Sequence, residues 1–403
     1  MARMTYVGLP AHGHTNPALP VLRELKQRGH QVIAYNADYF REKMASTGAD
    51  FRALPNMPSE RRISEVVHSP VDASVMFSEL SSPLTHFMID QLERERPDLL
   101  IYDSIAMWGY IAARVTQLPQ VCFISHFVLD GSLLAIGLGQ LARFYGSVLP
   151  FIPKLLAWRR SLVREFGAEN AEGVTAYADL NIVFTSQAFH PENRFVDERF
   201  RFVGPAIDAQ TRKGDFPFDQ LTEGEKVYIS LGTINHLDLS FYEAVFAAFA
   251  DFPAQFILSA GKNTDLAAIG QPPANFIVRN VVPQLAILQH VDGFISHGGI
   301  NSVQESLLYG VPLLVVPHHF EQLLNAKRVA QEGAGLLLGG RYPYGRVTPQ
   351  QLRRALEGVL TTATYRQNAE RVGQTLKSAG GTQRAADEIE SYLKKKMGAV
   401  VPA

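Results

Sequence analysis

The sequence predicts an α/β protein made of two domains, each built on a parallel sheet. Short apolar runs (MTYVGL, HQVIAYN) alternate with amphipathic stretches (PALPVLRELKQRG, DYFREKMASTG) over residues 4–48. This βαβα order is typical of a parallel sheet covered by helices. The alternation stops at residues 203–225, which are rich in Gly, Pro and charge, and restarts with KVYISLG. A stretch without periodicity between two such patterns indicates an interdomain linker.

In the first half, further strands are predicted in the runs DLLIYD, QVCFISHF and LNIVFTS. Asn16 is predicted to cap the first helix, with Pro17 in its first turn and Gly29 at its end. Residues 54–83 are polar and interrupted by prolines, so we expect a long loop with short helices there.

In the second half, the predicted strands are QFILSAG, NFIVRNVV, DGFISHGG, PLLVVP and AGLLLGG. GTQRAADEIESYLKKK is amphipathic and ends in three lysines, which favours a long terminal helix. We therefore expect an N-terminal Rossmann-like domain at 1–205, a linker at 206–225 and a second Rossmann-like domain at 226–385. A helix and tail at 386–403 are expected to pack back towards the N-terminal domain.

Composition excludes several classes of function. Among 403 residues, 46% are hydrophobic and the net charge is -1, so the basic surface that nucleic-acid binding requires is missing. The single cysteine, Cys122, excludes an intrachain disulfide framework and a CxxC metal site, and it fits a cytoplasmic protein. The longest apolar region, 127–158, is interrupted by Asp130, Arg143 and Lys154, so stable membrane insertion is not expected.

The turn GLPAHGHTNPALP, residues 8–20, has the glycine spacing of a phosphate-binding loop but carries His14 where that loop has lysine. His14 follows a predicted strand, and Asp103 ends the predicted strand DLLIYD. The carboxyl ends of strands face the ligand crevice of open α/β sheets. Alternatively, His14 is a surface histidine without a function and Asp103 only caps a helix.

A second glycine-rich turn lies in SHGGINSVQESLLYGVPLL, residues 296–314. Its glycines let the backbone approach a ligand closely, and the amides at the following helix start attract an anion. Polar side chains surround that helix start and suit a diphosphate linked to a ribose. They are His297, Asn301, Ser302 and Glu305.

Residues 281–335 resemble the nucleotide-sugar signature of family 1 glycosyltransferases, the UDP-glycosyltransferases. AHGHTNP and the Asp that ends DLLIYD are similar to the other half of the family's site. The bacterial macrolide and flavonoid glycosyltransferases look nearest. The resemblance implies the GT-B architecture, with two Rossmann-like parallel-sheet domains facing a cleft and the donor held by the C-terminal domain.

The resemblance also implies roles for individual residues. His14 is the expected catalytic base and Asp103 the acid that orients it. The expected donor-binding residues, from the nucleotide to the sugar, are Thr233, Val282, Gln284, His297, Gly299, Asn301, Ser302, Glu305, Glu321 and Gln322. The segments 56–85 and 127–158 are expected to line the acceptor pocket, with His126 and Phe127 as contact residues.

Two positions depart from the family pattern. Val281 stands where many members have a Trp that stacks on uracil, which leaves a thymidine donor open. Glu321 stands where Asp is commoner, so glucose is the favoured donor sugar without being fixed by the motif.

Together these features predict inverting transfer of a hexose from a UDP-sugar to a hydroxyl of a hydrophobic small molecule. A neutral imidazole near pH 7 can remove the proton of that hydroxyl, whereas a lysine ammonium cannot. No cofactor and no metal are expected, because the helix start and His297 stabilise the leaving diphosphate. The alternatives are a lipid or sterol glycosyltransferase, a UDP-sugar epimerase of the same architecture, and a binding protein without chemistry.

Overall fold

The computed structural model describes residues 1–66, 70–128, 149–171, 177–207, 214–232, 239–262, 264–340 and 346–398. The chain divides into two compact units, Met1–Ile207 with Ala379–Ala403, and Asp208–Ser378. Each unit contains one parallel sheet with helices on its faces. The predicted fold class, two parallel-sheet α/β domains, is therefore confirmed.

The sheet of the first unit has the order β3-β2-β1-β4-β5-β6-β7, and all its strands are parallel. Because helices cover both faces, central strands such as β4 are buried at every position. The strand order reverses between β1 and β4, which makes the carboxyl ends of these two strands the expected ligand crevice. The strands are β1 Arg3–Val7, β2 Gln31–Asn36, β3 Asp50–Ala53, β4 Leu99–Asp103, β5 Gln120–Ile124, β6 Leu180–Val183 and β7 Phe200–Phe202.

Helices connect these strands, and single 3-10 turns lie at Asp38–Phe40 and Leu149–Phe151. The helices are α1 His12–Gln27, α2 Arg41–Ala45, α3 Glu60–Val66, α4 Pro70–Glu95, α5 Met107–Val115, α6 Ile152–Phe166 and α7 Ala168–Ala171.

The predicted start of the first helix was wrong. Helix α1 begins at His12, and its N-cap is Ala11, which makes no side-chain capping bond. Asn16 is therefore not the cap, and Pro17 lies inside the helix instead of in its opening turn. Pro17 is tolerated there because its missing N–H leaves only one carbonyl of the first turn without a helical partner. His14 consequently lies in the first turn of α1.

The long loop with short helices predicted for residues 54–83 is correct only in its first part, which contains the short helix α3, because the long helix α4 starts at Pro70 and runs through Pro83. The apolar face of α4 outweighs the proline, since its contacts to α5 bury side chains spaced four residues apart. Hydroxyl groups in the helix bond carbonyls one turn back, for example Thr85 Oγ1 to Ser81 O at 2.7 Å. The buried apolar residues are Leu84, Met88 and Leu92.

The second unit repeats the architecture with the strand order β10-β9-β8-β11-β12-β13, again all parallel. Its order reverses between β8 and β11. The strands are β8 Lys226–Ser230, β9 Gln255–Ser259, β10 Phe276–Arg279, β11 Gly293–Ser296, β12 Leu313–Val315 and β13 Gly335–Leu337. The helices are α8 Leu239–Phe249, α9 Gln284–Ile287, α10 Ile300–Leu308, α11 Phe320–Gln331, α12 Pro349–Thr361 and α13 Ala363–Ser378.

The terminal helix, α14 Gly381–Gly398, starts before the predicted residue 386 and belongs to the first unit. Gly380 and Gly381 have φ values of +98° and +59°, a left-handed backbone that separates α14 from α13. Helix α14 packs on α1. Its apolar side chains join the core of the first unit, namely Ala385, Ala386, Ile389 and Leu393.

The described parts of the predicted linker, residues 206–207 and 214–225, hold a 3-10 helix at Phe218–Gln220 and no other helix or strand. Within the described ranges, no helix has the length and apolar character needed to cross a membrane.

Candidate active site

His14 and Asp103 meet at the carboxyl edge of the first sheet, where the strand order reverses. The first turn of α1 presents His14, and Asp103 is the last residue of β4. His14 Nδ1 lies 2.9 Å from Asp103 Oδ2. The His14 side chain is 18% exposed and that of Asp103 is 1% exposed. The imidazole is thus accessible while its carboxylate partner is buried.

The buried carboxylate of Asp103 is held from both sides. Its Oδ1 accepts a hydrogen bond from the backbone N–H of Ile105 at 2.9 Å. Burial, followed by the charge of Asp103, raises the pKa of Tyr6 and that of the Cys122 thiol well above their usual ranges. Both groups therefore stay neutral near pH 7 and do not compete with His14 for a proton.

The contact with Asp103 sets the tautomer of His14. An ionised carboxylate only accepts hydrogen bonds, so His14 Nδ1 carries the proton that points to Asp103. The lone pair of the neutral ring then lies on Nε2. An imidazole oriented in this way can remove a proton at Nε2, and the carboxylate stabilises the imidazolium that forms.

His126, one of the predicted acceptor contacts, lies beside this pair. The rings of His126 and His14 have their centres 6.0 Å apart. His126 Nδ1 donates to the backbone oxygen of Phe127 at 2.8 Å, and its Nε2 is 3.0 Å from Ser104 Oγ. Phe127, the other predicted contact, is 6% exposed and packs against the rings of Phe189 and His190. Residues 129–148 of the predicted acceptor segment lie outside the described residues.

The second candidate region is the glycine turn between β11 and α10. The ring of His297 is flanked by two glycines, because a Cβ at Gly232 would come within 2.6 Å of the ring and a Cβ at Gly299 within 2.5 Å. Gly298 has a φ of +89° and lies close to the backbone of Gln322. Side chains at these positions would displace the ring or the turn.

His297 is neutral near pH 7. Burial, and then the nearby His319 and His318, lower the pKa of its ring to about 3. Its Nδ1 faces the carbonyl of Ser230, at the end of β8, at 3.4 Å. The ring therefore lies where the ends of β8 and β11 meet.

Three of the predicted donor-binding residues form one hydrogen-bonded group. Gln284 Nε2 donates to Glu305 Oε2 at 2.6 Å and to Ser302 Oγ at 3.3 Å. Gln284 Oε1 accepts from the hydroxyl of Tyr228 at 3.2 Å. Glu305 is 3% exposed, so its carboxylate is held in a fixed position on α10.

The remaining predicted donor residues have different surroundings. Glu321 is exposed in the first turn of α11, whereas Gln322 is buried and its Oε1 accepts from the backbone N–H of His318 at 2.8 Å. Val282 is buried. Asn301 is half-buried near the start of α10, and Thr233 lies outside the described residues.

Val281 departs from the family pattern at an accessible position. Its side chain is 62% exposed, next to the buried Val282. The position where many family members carry the stacking aromatic ring is therefore exposed to solvent, and in this chain its side chain is aliphatic.

Sequence reasoning missed three residues of these two regions. Ser125, directly after β5, lies 3.0 Å from His14 Nδ1, and Asn325 Nδ2 donates to the carbonyl of Gly298 at 2.9 Å. The third is Tyr228, which bonds Gln284. Ser125 lies within the predicted strand run QVCFISHF, and only the observed pairing of β4 with β5 shows that it shares a sheet edge with Asp103. Tyr228 and Asn325 lie inside a strand and a helix without any distinguishing pattern.

Over the ranges given above, no three or more His, Cys, Asp or Glu side chains are arranged to hold a metal ion. The polar groups of the two regions are hydrogen-bonding groups.

The chain is similar over nearly its whole length to known glycosyltransferases. Residues 243–391 match the family described as "Erythromycin biosynthesis protein CIII-like, C-terminal domain". The NDP-glycosyltransferase YjiC of Bacillus subtilis (strain 168) is 30% identical over 97% of this chain and 97% of its own length. The uncharacterized UDP-glucosyltransferase YojK of the same strain is 29% identical over 98% of both chains.

Among solved structures, CalG4, the calicheamicin glycosyltransferase, is similar to this chain with a TM-score of 0.79 and 25% identity over 100% of both chains. The chain therefore combines two parallel-sheet units with similarity to such enzymes over its whole length. Where the strand order reverses, the first sheet carries a histidine and a carboxylate, and the second sheet carries the glycine turn. This chain belongs to the UDP-glycosyltransferases, the family 1 glycosyltransferases of GT-B fold, and it is a glycosyltransferase.

Proposed function

We propose that this enzyme transfers a hexose, with glucose as the favoured sugar, from a UDP-sugar to a hydroxyl of a hydrophobic small molecule, with inversion at the anomeric carbon. The observation that carries the proposal is the 2.9 Å contact between His14 Nδ1 and the buried carboxylate of Asp103. This pair has the chemistry of an oriented general base.

In the proposed reaction, His14 Nε2 removes the proton of the acceptor hydroxyl while its oxygen attacks the anomeric carbon. The bond from that carbon to the diphosphate oxygen breaks, and UDP leaves with the electron pair. The proton ends on His14, where Asp103 stabilises the imidazolium. General-base help of this kind usually contributes about two to four powers of ten in rate. An α-linked donor attacked in line gives a β-glycoside.

The second unit is the proposed donor site. Gln284 and Glu305 offer an amide and a fixed carboxylate that suit ribose hydroxyls. The amides at the start of α10 suit the diphosphate, helped by His297, Asn301 and Ser302, with Thr233 as a further proposed contact. Glu321 and Gln322 are the proposed sugar contacts, and Val282 is the proposed backbone contact to the base. The name of the relative YojK supports UDP-glucose as donor.

We propose that the reaction needs no cofactor and no metal, because hydrogen-bond donors at a helix start can stabilise the leaving diphosphate. The enzyme should then keep its rate in the presence of EDTA. A loss of activity with EDTA that Mg²⁺ restores would contradict this part of the proposal.

The proposed acceptor is a hydrophobic natural product such as a macrolide or a flavonoid. The calicheamicin glycosyltransferase supports this class by its name and by its similarity over the whole chain. His126 and Phe127, next to the proposed base, are the proposed acceptor contacts. A lipid or sterol acceptor is the alternative, and the panel of acceptors has to distinguish it from a hydrophobic natural product.

The test is an assay of the purified protein with UDP-glucose and a panel of phenols, macrolides, sterols and lipids. We expect β-glycosides of natural-product acceptors, identified by mass and by the anomeric proton coupling in NMR spectra. His14→Ala should abolish product and leave UDP binding unchanged. His12→Ala is the matched control, because His12 lies in the same turn but bonds Glu60 at 2.8 Å.

Three outcomes of this assay would contradict the proposal. Full activity of His14→Ala would refute the assignment of the base. Conversion of UDP-glucose without any acceptor would indicate an epimerase. Tight UDP binding without turnover on the whole panel would indicate a binding protein.

A further inference from the structure

Ser125 holds a second oxygen atom close to the ring of His14. Its Oγ lies 3.0 Å from His14 Nδ1, and Asp103 Oδ2 lies 2.9 Å from the same nitrogen. Ser125 follows β5, which is the neighbour of β4 in the sheet, with Asp103 paired to Phe123. The imidazole is therefore held by the carboxyl ends of two adjacent strands and not by one carboxylate alone.

The direction of these hydrogen bonds follows from the carboxylate. Asp103 Oδ1 accepts from the backbone N–H of Ile105, and an ionised carboxylate has no proton to donate. The proton between His14 and Asp103 therefore belongs to Nδ1. Ser125 Oγ faces the same N–H and must accept from it, which makes a three-centre hydrogen bond.

We propose that Ser125 is a positioning residue for glycosyl transfer, because its hydroxyl oxygen shares the Nδ1–H of His14 with Asp103 and so fixes the rotation of the ring. The inference rests on the proposed role of His14 as the base. With a single acceptor, the ring can swing about the line from Nδ1 to the carboxylate oxygen. Two acceptors on two strands of a rigid sheet remove this motion and keep Nε2 aimed in one direction.

Ser125 also acts on the charged form of the base. A hydrogen bond to an imidazolium is stronger than one to a neutral imidazole, because the donor is then charged. The oxygen of Ser125 therefore favours the protonated ring that forms as the acceptor is deprotonated. Removal of this oxygen should lower both the rate and the pH at which His14 gains its proton.

The other ionisable groups around His14 do not replace Ser125. Asp103 is the charged partner from β4. His126, whose ring centre lies 6.0 Å away, donates from Nδ1 to the carbonyl of Phe127 and has its Nε2 3.0 Å from Ser104 Oγ, so both of its ring nitrogens face other groups. Near the start of α1, His12 faces Glu60 and Lys43. Tyr6 and Cys122 are buried and neutral.

The kinetic test compares Ser125→Ala with Ser125→Thr, which keeps the hydroxyl. For Ser125→Ala we expect kcat to fall about five- to tenfold, the change that corresponds to the loss of one hydrogen bond. The KM for the UDP-sugar should stay within about twofold, since Ser125 bonds a residue of the first unit only. Ser125→Thr should restore most of the rate.

The matched control is Thr116→Val, which removes a hydroxyl of the first unit at the end of α5. Thr116 Oγ1 bonds the backbone oxygen of Ala112 at 2.7 Å, within its own helix. Its kcat should equal that of the unchanged enzyme. Thermal unfolding of all three variants shows that each is folded.

A second readout does not depend on turnover. In protein labelled with ¹⁵N-histidine, the His14 resonances, assigned by their loss in His14→Gln, report the protonation of the ring as the pH is varied. In Ser125→Ala the midpoint of this titration should move down by about half a pH unit, and the acid limb of kcat/KM should move with it.

Each outcome decides the inference. An unchanged kcat and an unchanged His14 titration in Ser125→Ala would overturn it, and so would equal losses in Ser125→Ala and Ser125→Thr, which indicate a packing role. If His14→Ala keeps full activity, the proposed base is wrong, whereas the titration still shows whether Ser125 bonds the ring.

Discussion

At the scale of single residues, the central group is a carboxylate that acts through a histidine. Asp103 is 1% exposed and holds the proton of His14 Nδ1 in place. If the pair acts as proposed, Asp103 matters for its charge as well as for its shape. An amide of the same shape can donate to Nδ1 and thereby select the opposite tautomer, with the proton on Nε2.

Asp103→Asn is therefore expected to reduce kcat by about three to four powers of ten, in line with such exchanges in oriented histidine pairs. The lone pair of the His14 ring would then face the new amide instead of the acceptor hydroxyl. Steady-state assays with UDP-glucose measure the rate, and calorimetry of UDP binding serves as the control, since the donor site should be unaffected. A kcat within a factor of about ten of the unchanged enzyme would argue against the pair.

The glycines around His297 give a steric prediction. A Cβ at Gly299 would lie 2.5 Å from His297 Nε2, and the φ of Gly299 is -59°, so the backbone itself accepts an alanine. Gly299→Ala should therefore turn the ring away without unfolding the unit, and it should weaken UDP binding about tenfold by displacing the turn whose amides are proposed to bind the diphosphate. Calorimetry measures the affinity.

Gly358→Ala, near the C-terminal end of α12, is the matched control for that substitution. Its added Cβ would meet only Leu336 Cδ1, at 3.8 Å. Alanine in a helix is favoured over glycine by about 0.5–1 kcal/mol, so UDP affinity should stay constant while the unfolding temperature rises slightly. Equal affinities in Gly299→Ala and Gly358→Ala would show that the position of the His297 ring does not matter.

At the scale of elements, the terminal helix α14 is tied to the first unit by a group of charges. Glu390 bonds Arg28 Nη1 at 2.9 Å and His30 Nε2 at 2.8 Å, and Arg28 also bonds Asp387 at 2.6 Å. The hydrogen bond from His30, followed by the charge and bond of Arg28, lowers the pKa of Glu390 below 4.5. The carboxylate is thus favoured in the folded chain over the unfolded one.

Because the pKa of Glu390 is lowered on folding, its contribution to stability is present above pH 4.5 and is lost as the pH falls through the lowered value. At pH 7, Glu390→Gln should cost about 1 kcal/mol and lower the unfolding temperature by about 2–4 °C. Below about pH 4, the unfolding temperatures of Glu390→Gln and of the unchanged protein should lie closer together. Thermal unfolding followed by circular dichroism at both pH values measures it.

Asp387→Asn is the control for Glu390, because both carboxylates bond the same nitrogen of Arg28 but Asp387 is 61% exposed. Solvent screens an exposed pair, so its loss should change stability by only a few tenths of a kcal/mol. A larger effect of Asp387→Asn than of Glu390→Gln would contradict this account of how α14 is held.

Elements also show where the sequence was informative. Strand and helix alternation predicted the sheets, because a buried parallel strand needs an apolar run and its helix needs an apolar face. Prolines misled the helix boundaries. Pro17 and Pro83 are strong local signals for a break, yet α1 and α4 continue through them, since packing on the sheet and on α5 outweighs one missing hydrogen bond.

Part of the candidate site was predicted from motifs and part from the family resemblance. His14, Asp103, Ser302 and Glu305 lie in motifs whose residue types and spacing carry information, whereas Gln284 was predicted from the resemblance alone. Ser125 was missed because a serine after a strand is common, and its meaning depends on the contact between β4 and β5, which the sequence does not state. The buried position of Gln322 likewise depends on the fold around α11.

At the scale of the whole molecule, the two units carry different parts of the proposed chemistry. The first unit contains the His14–Asp103 pair, and the second contains the glycine turn and the bonded group of Gln284, Ser302 and Glu305. If the second unit holds the donor, substitutions there should change nucleotide affinity, whereas substitutions of His14 should change turnover alone.

Glu305 allows this division to be tested on one hydroxyl of the donor. Glu305→Gln should weaken the binding of UDP by at least about tenfold if the carboxylate accepts from the ribose, because bonds to charged groups contribute about 1.5–3 kcal/mol. For 2′-deoxy-UDP, which lacks one of the two ribose hydroxyls, the same substitution should have a smaller effect. Calorimetry with both nucleotides on the unchanged protein, Glu305→Gln and His14→Ala gives the full comparison.

The comparison of the two nucleotides also bears on the identity of the donor. One outcome is that the unchanged protein binds UDP much more tightly than 2′-deoxy-UDP and that Glu305→Gln abolishes this difference in affinity. That result would assign the 2′-hydroxyl to this carboxylate and make a ribonucleotide the natural donor. Equal affinities for the two nucleotides would instead admit a thymidine donor, which the aliphatic Val281 leaves room for. Weakened UDP binding in His14→Ala would contradict the division itself, because the base would then contribute to holding the donor.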